Sequence, residues 1–117
     1  LDTVLQQMKL PSITPVEENT LSKLANGITD TPVTLAVKAH LRNCRPVLIA
    51  LSSNDALGAN AKNLGHLLNT KNVYFVPMGQ DAPDIKTKSL IADFSIVPDA
   101  VKLALNGKQA EPVFKNL

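Results

Sequence analysis

Two unbroken apolar runs, Val47-Leu48-Ile49-Ala50-Leu51 and Val73-Tyr74-Phe75-Val76, constrain this chain more than any other feature. An apolar run of strand length without alternation has no solvent face, so it belongs to a strand buried on both sides, as in a parallel sheet covered by helices. The segments around the runs have helical spacing. Leu21, Leu24, Ala25 and Ile28 fall at i, i+3, i+4 and i+7, with Asn19 or Thr20 as N-cap. A second helix is expected from cap Thr31 and Pro32, burying Val33, Val37 and Leu41. A third uses Ala61, Leu64, Leu67 and Leu68; a fourth starts at Pro98, presents Val101, Ala104 and Leu105, and stops at Gly107. Five-residue strands alternating with helices imply βαβ crossovers and an α/β fold with a parallel sheet. Two strands do not make a stable sheet of this class. Their neighbours lie either in the weakly patterned terminal segments or outside this chain. Leu1, Val4, Leu5 and Met8 form a short apolar helical stripe that Pro11 ends.

Composition narrows the function classes. At 117 residues the chain has the length of one domain, and 44% apolar content suits a packed core. A net charge of +2 with four aromatics (Tyr74, Phe75, Phe94, Phe114) argues against a nucleic-acid binder. The single cysteine, Cys44, leaves no intrachain disulfide and no thiolate metal cluster. No stretch approaches the apolar length of a membrane span, and the N-terminus has neither an initiator Met nor a signal-peptide layout. A soluble intracellular chain is expected, and a fragment is one reading of the missing Met. His40 and His66 lie in helical patterns without a partner at metal-ligand spacing, so both are read as surface or helix-face histidines and no metal is expected. The five glycines form neither G-x-G-x-x-G nor a P-loop, so no self-contained phosphate cradle is present.

Three loops sit where an α/β sheet places ligands, beyond the carboxyl ends of strands. Residues 15–20 lead into a helix whose first N–H groups are open to an anion or a carbonyl oxygen. Residues 52–58, Ser-Ser-Asn-Asp-Ala-Leu-Gly, follow the better strand, and their hydroxyls and amide suit the edge of a planar heteroaromatic ring. Residues 77–81 follow the second strand and open an aperiodic stretch, Met78 to Ser89, that reads as a long and therefore functional loop. Ordinary turns look similar, and spacing alone does not separate the two readings.

At these loops the chain resembles a known family. Asn19-Thr20-Leu21-Ser22-Lys23-Leu24-Ala25-Asn26-Gly27-Ile28-Thr29-Asp30 is similar to the signature of the flavoprotein superfamily, which includes the phosphopantothenoylcysteine and peptidyl-cysteine decarboxylases. Further blocks narrow the likeness to one branch, the B subunits of dipicolinate synthase. They are Arg42-Asn43, Arg45-Pro46-Val47, Ser53 to Gly58, Lys71 to Pro83, and Gly107-Lys108-Gln109 with Pro112-Val113. The likeness runs from about Pro15 to about Val113. It implies a Rossmann-like, flavodoxin-like three-layer parallel sheet with flanking helices, incomplete at its N-terminus: a divergent segment 1–14 and a flavoprotein-like domain over 15–117. It implies a homo-oligomer holding FMN between protomers, in the mother-cell cytoplasm of a sporulating bacterium. The partner would be an NAD(P)-dependent A subunit, which oxidises a dihydrodipicolinate-level precursor, so no catalytic residue is assigned here. Position by position, Asn19 and Thr20 match the pair facing flavin and substrate, and Asn54, with Ser53 beside it, matches the second loop. Gly79, Gln80 and Asp81 open the segment where the decarboxylases keep a substrate clamp.

The departures from the family pattern carry expectations too. Val16, Glu17 and Glu18 stand where relatives have small, often hydroxylated residues, and two carboxylates there repel an anionic ligand while favouring the helix dipole. Leu10-Pro11-Ser12-Ile13-Thr14 stands in place of an apolar strand, and its proline weakens strand formation. Upstream of Pro15 there is no visible likeness, so the first strand, the phosphate loop and the decarboxylases' histidine are expected to be missing. Thr87 and Lys88 replace a usual Pro-Asn. Two other readings stand beside the accessory subunit: an FMN-dependent decarboxylase, and a partial domain without a ligand of its own.

Overall fold

The computed structural model of the chain describes residues 12–115. The stripe Leu1 to Met8 and Pro11 lie outside them. At the centre is β2, Val47–Ser53, with Val47 to Leu51 all buried, as an unbroken apolar run requires. On one side β1, Ser12–Val16, pairs parallel to it from Ser12 opposite Val47 to Val16 opposite Leu51. Ser12, Ile13 and Thr14, which follow Pro11 in the sequence, are therefore strand residues. Pro15 lies within β1 too, and among the described residues this strand is at the sheet's edge, where a missing N–H is tolerated. On the other side β3, Val73–Phe75, pairs parallel to β2.

Beyond β3 the sheet curls. The Val76 N–H still donates to the Ile49 carbonyl at 2.9 Å, but Pro77 has no donor and the chain diverges from β2. It resumes as β4, Met78–Gly79, and the opened wedge is filled by β5, Leu90–Ala92, antiparallel to both β2 and β4. β6, Phe114–Lys115, closes the order β1-β2-β5-β4-β6 parallel to β4. The parallel sheet expected from the apolar runs thus carries one antiparallel insertion. Of the further strands, β1 and β6 come from the weakly patterned terminal segments as one expectation had it, while β4 and β5 flank the 80–89 loop, where none was expected.

Helices cover both faces. Val47, Ile49 and Leu51 pack with α1 (Glu18–Ala25), α2 (Pro32–Arg42) and α3 (Ala61–Leu68) through Leu21, Val37, Leu64 and Leu67. Leu48 and Ala50 face the other way, toward Ala100 and Val97 of α4 (Val97–Leu105). The result is the three-layer α/β fold.

Several local expectations change. α1 ends at Ala25, which leaves Ile28 exposed beyond it. The cap of α1 is Glu17 and not Asn19 or Thr20. α2 starts as expected, with Thr31 and Thr34 forming a reciprocal capping box across Pro32 at its first position. Its buried face is Thr34, Val37 and His40, while Val33 is exposed. His40 is therefore a core residue and not a surface one; His66 is exposed. α4 buries Ala100 and Ala104 and exposes Leu105. It follows a 3-10 turn, Phe94–Ile96, capped by Asp93.

Both α2 and α4 end in the same motif. After α4, the Lys108 and Gly107 N–H groups donate to the Leu103 and Ala104 carbonyls, with Gly107 at φ 72. After α2, Arg45 and Cys44 donate to His40 and Leu41, and the left-handed position is taken by Cys44 at φ 57. A side chain there is sterically costly.

Candidate ligand edge at the carboxyl ends of the strands

Parallel pairing of β1 with β2 places their exits side by side: Val16 lies opposite Leu51, two residues before β2 ends at Ser53. Antiparallel pairing of β5 then sets Leu90 opposite Ser53 and Ile91 opposite Ser52, and Ile91 also lies opposite Gly79. The turns after β1, β2 and β4 consequently leave the sheet along one edge. The second and third also touch, since the Leu57 N–H donates to the Lys88 carbonyl at 3.0 Å. Asn19, Thr20, Ser53, Asn54, Gly79, Gln80 and Asp81 all stand on this edge.

Each has a definite local role. Glu17, extended at φ −102, turns its carboxylate back over the first turn of α1. Oε2 accepts from the Asn19 N–H at 2.9 Å and Oε1 from the Thr20 N–H at 2.8 Å, and the Thr20 hydroxyl also donates to Oε1. The hydroxyl bond of Thr20, with the two backbone donors and the nearby charge of Lys23, holds the Glu17 carboxyl below its ordinary range, against an opposing cost of burial that only the Thr20 hydroxyl bond exceeds singly. The Asn19 side chain stays exposed.

The second turn is also capped by a carboxylate. Asp55 Oδ1 accepts from the buried Ser53 hydroxyl at 3.2 Å and from Asn60 Nδ2 at 3.0 Å. Asn60 Oδ1 then accepts from Asn63 Nδ2 at 2.7 Å, tying the turn to α3. Asn54, between them, is exposed on the edge.

In the third segment Gly79 belongs to β4, so the long loop is shorter by two residues and spans 80–89. A Cβ on Gly79 would lie 2.5 Å from the Lys115 carbonyl oxygen, which is closer than β6 allows for any side chain. Gln80 Nε2 donates to the Thr87 carbonyl at 2.8 Å, and Asp81 accepts from the Ser89 hydroxyl at 3.4 Å and faces Lys86 at 3.9 Å. These two side chains close the loop on itself. Its tip carries Ile85, 85% exposed.

A small hollow of about 170 Å³ lies next to the hairpin, lined by Gly79, Gln80, Ile91, Ala92, Asp93 and Lys115. Lys115 Nζ meets Asp93 Oδ2 at 2.7 Å, and the Ser95 hydroxyl donates to Oδ1 at 2.6 Å. Lys115 first, and Ser95 after it, hold the Asp93 carboxyl down to about 2. Sequence reading missed Glu17 as a cap because glutamate is not a favoured cap residue, and it missed Lys115 and Asp93 because they meet only across 22 positions. A roomier groove of about 450 Å³ runs between α1 and α2, lined mainly by Leu24, Ile28, Val37 and Leu41, with Thr29, Thr34, Lys38 and Arg42 also on its walls. It lies apart from the strand exits, and its apolar walls offer little to orient a polar ring. Among the described residues no cluster of three metal-ligating side chains occurs, and no helix is long and apolar enough to cross a membrane.

The edge fits one half of a flavin mononucleotide better than the other. Exposed amides at Asn19 and Asn54 can meet the polar rim of an isoalloxazine. The described residues offer its phosphate no comparable cradle, because the α1 N-terminus is already bonded to Glu17.

Comparison with known proteins agrees with this architecture. The family described as Flavoprotein matches residues 6–102, which carries the likeness upstream of Pro15. The dipicolinate synthase B subunit of Bacillus subtilis (strain 168) is 46% identical over 101 residues, covering 86% of this chain and 50% of the relative. The crystal structure of the dipicolinate synthase B subunit from Bacillus halodurans C superposes with a TM-score of 0.87 at 45% identity, over 89% of this chain and 54% of that one. The chain spans about half the length of these relatives.

Proposed function

Because this chain belongs to the flavoprotein family, we propose that it serves as the ligand-shaping part of a dipicolinate synthase B-type subunit. The observation that carries the reading is the convergence of three turns, after β1, β2 and β4, on one sheet edge. The identity of 46% to a protein of that name supports it. In this reading Asn19 and Thr20 on the first turn and Ser53 and Asn54 on the second border a flavin, FMN in the complete assembly. Gly79, Gln80 and Asp81 anchor the loop that covers the substrate side.

A flavin, when bound, supplies the redox chemistry of its ring. The chain's own contribution is orientation: the exposed amides of Asn19 and Asn54 meet the ring edge, and Ser53, held by Asp55, fixes the second turn. Loop 80–89, closed by Gln80 and Asp81, shields the site from water. The chain assembles with copies of itself and with a separate NAD(P)-dependent A subunit that carries out the oxidation, in the mother-cell cytoplasm during sporulation. The test is reconstitution. The A subunit's rate of dipicolinate formation should rise on adding this chain, and the two should co-purify. An unchanged rate with no association rejects the reading.

A further inference from the structure

Every backbone donor that α1 directs at the edge through Asn19 and Thr20, and the Thr20 hydroxyl with them, is accepted by one side chain of the same chain, Glu17. On the neighbouring turn Asp55 accepts side-chain donors only, the Ser53 hydroxyl and the Asn60 amide, while Ser53 Oγ accepts the Asp55 N–H at 3.3 Å. Two carboxylates thus stand where an incoming anion would seek donors, with Glu18 a third negative charge beside them. A helix N-terminus attracts anions through its free N–H groups and its dipole, and a carboxylate already seated there satisfies the first and cancels the second. What remains accessible, the amides of Asn19 and Asn54, is neutral and offers both donors and acceptors.

We propose that Glu17 is the residue that sets ligand charge at this edge: its carboxylate is a resident anion that closes the α1 N-terminus to phosphates and carboxylates, so that the edge takes only a neutral, amide-rich ring face. The inference deepens the flavin reading and rests on it, in that the ring of a flavin is held here while its phosphate is held elsewhere in the assembly. Glu17 acts through charge and occupancy, and Glu18, whose carboxylate makes neither of these cap bonds, does not substitute for it.

The experiment uses inorganic phosphate as probe, followed by the backbone amide shifts of Asn19 and Thr20 at constant pH and ionic strength. The variants are Glu17→Ser, which keeps a capping oxygen, Glu17→Asp, which keeps the charge, and Glu18→Gln, which lowers the charge but leaves the cap. In the unaltered chain the two amides should not respond. In Glu17→Ser they should shift and saturate, with phosphate binding at least roughly tenfold tighter than in the unaltered chain, as expected when the resident charge leaves the helix start and one short hydroxyl can occupy at most one of the two donors. Glu17→Asp and Glu18→Gln should behave like the unaltered chain. Saturable phosphate shifts at Asn19 and Thr20 in the unaltered chain would overturn the proposal. So would their absence in a folded Glu17→Ser, or equal opening by Glu18→Gln. If Glu17→Ser does not fold, Glu17→Gln, isosteric but uncharged, replaces it with the same expectation. Riboflavin in the same samples separates the two readings: phosphate opening without riboflavin shifts keeps the closure by Glu17 and removes the flavin reading, and the converse removes only the closure.

Discussion

Glu17 has two consequences at the scale of a residue. Its carboxylate caps α1 through two backbone donors, so Glu17→Ala should destabilise the fold by about 1 kcal/mol in chemical denaturation, the usual range for a lost N-cap. An unchanged midpoint would mean that solvent satisfies those donors equally well. The second consequence is acid sensitivity, which Glu17 shares with Asp93. Both carboxyls are held below their unfolded values, so each contributes stability that is present above the ordinary carboxylate range and lost as pH falls through the folded value. For Asp93 the window runs from about 3.8 down to about 2. Lys115→Met should flatten the melting temperature across that window, since Lys115 is the largest cause of the shift. A profile indistinguishable from the parent would show that the Lys115 contact is not maintained in solution. Cys44 offers the opposite kind of change. At φ 57 it occupies the position that Gly107 fills after α4, and Cys44→Gly should stabilise by about 0.5 kcal/mol once the greater freedom of glycine in the unfolded chain is subtracted. A destabilised Cys44→Gly variant would mean that the thiol packs more usefully than its exposure suggests.

At the scale of an element, the outer edge of β3 is the telling case, just before the chain leaves β2 at Pro77. The Gln109 side chain covers that edge: Oε1 accepts from the Phe75 N–H at 2.8 Å and Nε2 donates to the Phe75 carbonyl at 2.6 Å, as a strand backbone would. Gln109→Ala should therefore speed hydrogen exchange at the Phe75 amide more than at the central amides of β2, and cost about 1 kcal/mol for a part-buried pair handed to solvent. Equal protection in both proteins would show that the amide substitutes for nothing. Elements of this kind decide what can be read from the sequence. β2 and β3 were legible because burial on both faces leaves an unbroken apolar run. α2 and α3 were legible from Thr31-Pro32 and the leucine spacing. β4, β5 and β6 have two or three residues each and exist only because β2 and β3 separate, so no local pattern announces them. The buried face of α2 was right at Val37 and off at both ends: Thr34, whose hydroxyl is used in the capping box, packs inward in place of Val33, and His40 is buried more fully than Leu41.

At the scale of the molecule, the edge residues were legible as turn chemistry at strand ends, and the family signature singled them out. What the sequence did not disclose is that Glu17 and Asp55 already occupy the donors of Thr20 and Ser53, since these bonds depend on how each turn folds back. The same turns that look open to a ligand are braced from within, which suits an edge that presents a preset surface to a planar ring. The flavin reading stands or falls on that edge being where the ring lands. The most direct measurement is a riboflavin titration of the full chain followed by amide shifts at every residue. Saturable shifts confined to Asn19, Thr20, Ser53, Asn54 and the 80–89 loop are expected. Saturable shifts centred instead on Ile28, Val37 and Leu41 in the α1–α2 groove, or no shift anywhere, would contradict it.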